Sequence, residues 1–262
     1  IMGLALFIYI ILDGYDLGIG ILLPLADEQE KDQMIASIGP FWDANETWLV
    51  LGVGVLLIAF PKAHGVVLTA LYLPATLMLI GLTLRGVAFD FRAKAKSQYK
   101  SMWNNLFTAG SYITAASQGW MLGNYIMGLE NNSTANLFSL AIALTLPALY
   151  VMLGCGWMFI KTEGELYNKA ARWAKWTMLP TALGLFLISI ATPIASDAIA
   201  KKWFSLPEAI GLLPIPVTTI IAFLCCLWLL NNETVRKAGY GVSIYLCMVV
   251  ICAMCALGLA YS

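Results

Sequence analysis

Apolar runs long enough to cross a bilayer follow one another along the chain, divided by short polar stretches. Eight stand out, at about residues 1–26, 41–61, 64–88, 102–129, 135–160, 173–195, 209–230 and 238–261. A membrane-spanning helix needs about 20 consecutive apolar residues. The runs lack the alternation of a barrel strand, and irregular backbone cannot face lipid, so each is predicted as a helix. The expected fold is an all-α polytopic membrane protein, one integral-membrane domain over 1–262. Its eight helices divide naturally into two four-helix bundles.

The polar stretches set an orientation. Those after the first, third, fifth and seventh runs carry twelve of the fifteen lysines and arginines, including Lys31, Arg85, Arg92, Lys161, Arg236 and Lys237. The opposite side has Lys62, Lys201 and Lys202. Cytoplasmic loops hold the basic excess, so residue 1 is expected toward the outer face. The chain opens and closes inside apolar runs, which predicts that residues are missing at one or both ends. The opening run lacks the basic start and small-residue cleavage site of a signal peptide.

Composition narrows the class further. Only 11% of residues are charged and 60% are apolar or aromatic, against roughly 25% charged in a soluble domain. Mean hydropathy is +0.80. Disorder, a disulfide scaffold and an ordinary cytosolic domain are excluded. A formal net charge of zero gives no basic field for nucleic acid.

Against this apolar background the charged positions inside or beside the runs carry the chemistry, since each costs about 2.5–3.5 kcal/mol to insert. The first run holds DGYDLGIG. Asp13 and Asp16 share a helix face, with Asp16 roughly 15 Å from the inner end at 1.5 Å per residue. Buried carboxyl groups beside one another suit proton exchange. The competing reading has Asp13 capping a break at Gly14 and Asp16 pairing with a distant cation. Gly14, Gly18 and Gly20 would let another backbone approach. The second run opens PFWDANETW, where Asp43 and Glu46 have capping-box spacing. That reading leaves Asn45, Trp42 and Trp48 unaccounted for. The third run ends RGVAFDFRAK, which puts Arg85, Asp90 and Arg92 at the same boundary. Arg92 reads as an interfacial anchor, and Arg85, deeper, as a partner for Asp43, Glu46 or an acid of another chain. Together these residues would form a polar intake.

Other chemistries find little support. His64 is the only histidine and is expected in a short outer turn, so no bis-histidine haem and no histidine-based metal cluster is possible. The six cysteines, Cys155, Cys225, Cys226, Cys247, Cys252 and Cys255, all lie inside spans and read as small apolar residues. Neither a phosphate-binding loop nor a dinucleotide fingerprint occurs.

The order of motifs resembles subunit II of cytochrome bd-type quinol oxidases. DGYDLGIG, GPFWDANETW, RGVAFDFRAK, MWNNLFTAGS, GNYIMGL and KTEGEL carry the likeness across 13–166, and the second motif is similar to the cyanide-insensitive branch. From 167 to 262 only helix number and hydrophobicity agree. The resemblance implies nine helices, the ninth beyond Ser262. It also implies no haem ligation here, with haems of b and d type, or a b-type variant, in a partner subunit I. Quinol and O2 would be the substrates of the complex, lipid its surroundings and the bacterial inner membrane its place. Carried over, Asp43 and Asp90 match acids associated with cytoplasmic proton uptake, Asp13 and Asp16 match a second path, and Trp48 matches a tryptophan near an oxygen entrance. This chain alone is expected to be inactive. The residues by themselves also admit a proton-coupled secondary transporter or a structural subunit whose acids only cap and pack.

Overall fold

The computed structural model describes residues 1–206, 208–232 and 239–261. Every regular element among them is helical. The start of the eighth run at 238, and Arg236 and Lys237 of the orientation count, lie outside the described residues.

Helix α1 (Met2–Leu22) runs without a break and closes on a 3-10 turn, Leu23–Leu25, in which Pro24 occupies a position that needs no N–H donor. Next comes α2 (Glu28–Ile38). Its first residues were expected as a polar connection. Asp27 instead caps the helix through Glu30 N at 2.9 Å, and Glu30 Oε2 accepts from Asp27 N at 3.0 Å. The reciprocal bonds satisfy two backbone donors, and Met34, Ile35 and Ile38 bury the apolar side. Helix α3 covers Trp42–Ala59. The run at 64–88 is two helices, α4 (Pro61–Ala70) and α5 (Tyr72–Lys94), divided at Leu71. Long helices α6 (Ser97–Ile126), α7 (Ser133–Lys161) and α8 (Gly164–Ala195) follow. Two short helices, α9 (Asp197–Phe204) and α10 (Glu208–Leu212), lead to α11 (Pro214–Asn231) and α12 (Gly241–Tyr261).

Among the described residues seven segments are long and apolar enough to cross a membrane: Met2–Leu25, α3, α5, α7, α8, Ala209–Asn231 and Gly241–Ala260. Helix α6 has the length but is more polar, because its Asn104, Ser111, Thr114, Ser117 and Asn124 are buried against neighbouring helices. Many outward residues of the long helices are themselves apolar, among them Val50, Ile58, Leu179, Phe186 and Ile194. A bundle with apolar side chains both inside and out is suited to lipid.

Helix α1 is central, packed on α3, α6 and α7, while α5 lies along α6 and α12 along α7 and α11. The α1–α7 crossing depends on glycine. A Cβ on Gly18 would overlap the Tyr150 carbonyl, and one on Gly154 would lie 2.8 Å from Ile19 N. That approach brings the carboxylates of α1 into the bundle interior.

Candidate functional site

The acids of α1 are fully buried. Asp13 and Asp16 are both 0% exposed, and Arg85, reaching in from α5, is 1% exposed. Arg85 Nη1 donates to Asp13 Oδ1 at 2.5 Å, and Nη2 donates to Glu46 Oε2 of α3 at 3.1 Å. A planar guanidinium suits two acids on different helices. Asn45, also on α3, spreads its amide protons between Asp16 Oδ2 at 2.9 Å and Tyr15 Oη at 2.7 Å. Three helices therefore converge on three carboxyl groups and one cation. Asp13 Oδ2, Asp16 Oδ1 and Arg85 Nε remain buried without a hydrogen-bond partner.

Two extensions leave this centre. Toward α6 and α7, Gln118 Nε2 donates to Tyr9 Oη at 2.7 Å, and the Tyr150 hydroxyl donates to Gln118 Oε1. On the other flank Tyr15 stacks on Trp157 with ring centroids 4.3 Å apart and planes at 6°. Trp157 Nε1 donates to the Ser37 carbonyl at 3.3 Å, and the Lys161 ammonium lies 5.0 Å from the Trp157 ring.

A second polar group ties α2 to its neighbours. Arg92 Nε donates to Asn104 Oδ1 at 2.5 Å and its Nη2 to Asp32 Oδ1 at 2.7 Å. Lys169 of α8 holds Glu30 at 2.7 Å and Asp27 at 3.8 Å. Burial pushes the Asp32 carboxyl up, but Arg92 and Lys100 more than offset it and leave it below its ordinary value. Asp27 is lowered as well, by the Glu30 backbone N–H first and by Lys169 after it.

Of the expected residues, the structure thus joins Asp13, Asp16, Asn45, Glu46 and Arg85 in one centre. It does not join Asp43 or Asp90, both exposed on this chain, to that network. Trp48 is half-buried outside it, and Trp42 leans on Phe89 with centroids 5.0 Å apart.

Several expectations change. Asp43 and Glu46 form no capping box: Phe41 precedes α3, no side chain caps it, and Glu46 is taken by Arg85. Asp13 caps no break, because α1 continues through Gly14. The cation expected for Asp16 sits on Asp13. Asp16 and Asn45, expected at different depths, touch. Arg85 is buried, and so is Arg92, expected as an interfacial anchor; neither belongs in the loop count, and ten against three remain. His64, expected in a short turn, lies half-buried within α4. Among the described residues no group of three or more His, Cys, Asp or Glu is placed to hold a metal ion.

Sequence reasoning missed Tyr9, Tyr15, Gln118, Tyr150, Asp32 and Asn104. Tyr9, one turn before Asp13, was findable from helical spacing. Gln118 and Tyr150 had no local signal, since only the α1–α6–α7 packing brings them together.

The profile described as "Cytochrome bd terminal oxidase subunit II" matches residues 1–262. The chain is 30% identical over 180 residues to "Cytochrome bd ubiquinol oxidase subunit 2" of Bacillus subtilis, covering 64% of this chain and 53% of that protein. It is 28% identical over 207 residues to "Cytochrome bd-I ubiquinol oxidase subunit 2" of Escherichia coli strain K12, covering 72% and 55%. The chain thus spans about half the length of these relatives. In fold it is similar to a chain of the bd oxidase from Geobacillus thermodenitrificans, with a TM-score of 0.75, 20% identity, and coverage of 99% of this chain and 82% of that one.

Proposed function

The chain belongs to the family of cytochrome bd terminal oxidase subunit II, and from that premise we propose that it serves a bacterial inner-membrane quinol oxidase as the subunit without haem. In this reading a partner subunit I holds the haems, and this chain brings cytoplasmic protons toward them and offers oxygen an apolar route. Reduction of O2 to two waters consumes four protons. Drawn from the cytoplasm while quinol releases protons outside, they generate a membrane potential without a pump.

The buried centre of Asp13, Asp16, Glu46 and Arg85 carries this reading. It holds more carboxyl groups than cations, in a bundle whose other interior contacts are mostly apolar. Exposed Asp43 sits one helical turn before Glu46, whose side chain is 26% exposed, so a path from the surface to the buried acids passes through few groups. The same reading counts α6 as an eighth span and places Asp43 and Asp90 on the cytoplasmic side. It also takes the chain as one domain of two four-helix bundles, with a ninth helix after Ser262 and no activity of its own. The remaining basic-residue bias supports the orientation.

The test is purification of the full-length protein from its own membranes. A haem-bearing partner should co-purify, with absorption from low-spin b and chlorin-type d or variant b centres and with quinol-driven oxygen consumption. Isolation of a haem-free oligomer that moves a solute on a proton gradient would overturn the assignment in favour of a transporter.

A further inference from the structure

The two carboxylates of α1 are equally buried but not equally partnered. Asp13 accepts from a charged donor, Arg85, at 2.5 Å. Asp16 has only a neutral one, the Asn45 amide at 2.9 Å; the second oxygen of each acid is buried without a partner. The other terminal nitrogen of Arg85 is committed to Glu46. The groups acting on Asp16 are Asp13 and Tyr15 on its own helix, Asn45 and Glu46 on α3, Arg85 on α5 and Tyr245 on α12. Only one of these is a cation. Three ionised carboxylates around one guanidinium would leave buried negative charge uncompensated, which is costly. A proton on the acid with the weakest partners relieves it.

The charge of the donor makes the difference. A guanidinium beside Asp13 favours its ionised form, because a charge-assisted bond of this kind holds a carboxylate charged and in place. A neutral amide beside Asp16 gives no such preference.

We infer that the two acids do different work: Asp13 is the fixed counter-ion of Arg85, and Asp16 is the group that binds and releases the proton. This rests on the proton-delivery reading above and names its carrier. Asp13, acting through Arg85, is a positioning residue.

The experiment uses the full-length chain in its assembled complex. Asp16→Asn is a neutral isostere that breaks no ion pair. It should assemble with normal haem content and slow quinol-driven oxygen consumption by about 10- to 100-fold, the range of a lost acid–base group. It should also lose the protonated-carboxyl band from the infrared difference spectrum taken between oxidised and reduced enzyme. Asp13→Asn strips Arg85 of its nearest counter-ion and should sharply lower the yield of assembled complex. Full turnover with the band retained in Asp16→Asn would overturn the assignment. So would failed assembly of Asp16→Asn, because a site that is protonated for part of its cycle tolerates an amide. Asp13→Asn that assembles normally but loses both band and turnover would make Asp13 the carrier, leaving proton delivery intact while ending the division of roles. If every variant of the cluster turns over normally, the delivery reading itself fails.

Discussion

Arg85 of α5 closes on Asp13 of α1 at 2.5 Å, and neither side chain is accessible from outside the bundle. Seventy-two positions separate them in the chain, so this pair fixes how two distant helices meet. Removing one member of a buried ion pair strands the other, at a cost of about 3–5 kcal/mol.

Arg85→Gln should therefore lower the recovery of folded, detergent-purified protein and its unfolding temperature far more than Lys94→Gln, an exposed control at the end of the same helix. Arg85→Lys should fall between them. An ammonium keeps the charge but cannot present two parallel donors to Asp13 and Glu46. Thermal unfolding followed by circular dichroism checks the order. Equal midpoints for Arg85→Gln and Lys94→Gln would show that the pair does not anchor the fold.

The α1–α7 crossing gives a second, independent expectation. Gly18→Ala drives a methyl into the Tyr150 backbone, which cannot rotate aside, whereas at Gly54 an added methyl meets nothing within 4 Å. Overpacking of this kind costs about 1–3 kcal/mol, so Gly18→Ala should unfold at lower temperature. Gly54→Ala should match the parent or exceed it slightly through helix propensity. Displacement of Tyr150 would also pull its hydroxyl from Gln118, so Gly18→Ala should perturb the buried network as well as the packing.

Acid should loosen the clamp around α2. Folding lowers the carboxyls of both Asp27 and Asp32. The folded chain therefore releases their protons at a pH where the unfolded chain still holds them. Stability from the two groups is complete above the unfolded value, near about 4. It is lost as pH falls through the lower folded values. Asp32→Asn should flatten the fall of unfolding temperature below that point and leave the neutral-pH slope unchanged. Asp27→Asn should retain the helix cap, because asparagine caps as well as aspartate, while losing the attraction to Lys169. An unaltered acid limb in Asp32→Asn would mean that its pairing with Arg92 contributes nothing to stability.

Much of this architecture is written in hydropathy. Most of the apolar runs correspond to long helices, and DGYDLGIG announces buried acids together with the glycines that let α7 approach them. The failures have physical causes. Helix α2 reads as a connection in the sequence because its polar start hides a capping box whose apolar partners come a turn later. Arg85 falls in with the loop residues because it stands close to a basic cluster, although it follows an apolar run. Partner identity was the hardest part. Spacing shows that Asp13 and Asp16 share a face, but which of them receives the guanidinium depends on the rotation of α5 against α1, and no local pattern encodes that. Gln118 illustrates the same limit: a single amide in a long helix has meaning only once Tyr9 and Tyr150 are placed on either side of it.

The position of Glu46 separates a series route from parallel ones. Asp43 is exposed one turn before Glu46, Glu46 is partly buried and touches Arg85, and Arg85 touches Asp13. Asp90 lies on the exposed side of α5, away from that line. If protons are collected at Asp43 and handed inward at Glu46, Asp43→Asn and Glu46→Gln interrupt one path. Each should slow quinol-driven oxygen consumption, by up to about 100-fold if no other path compensates. The double variant should then be no slower than the slower single. Asp90→Asn should slow the enzyme separately, so that combining it with Asp43→Asn multiplies the two losses. Haem content and the reduction of the haems by quinol should stay near normal in all of them, since the proposed reading places the haems in the partner subunit. Steady-state oxygen consumption with an electrode, paired with reduced-minus-oxidised spectra of each variant, reads both quantities. Multiplicative losses for Asp43 and Glu46 would place them on different paths. Full turnover of an assembled Asp43→Asn, Asp90→Asn double variant would remove both from proton uptake and leave Glu46 to draw its protons from elsewhere on the surface.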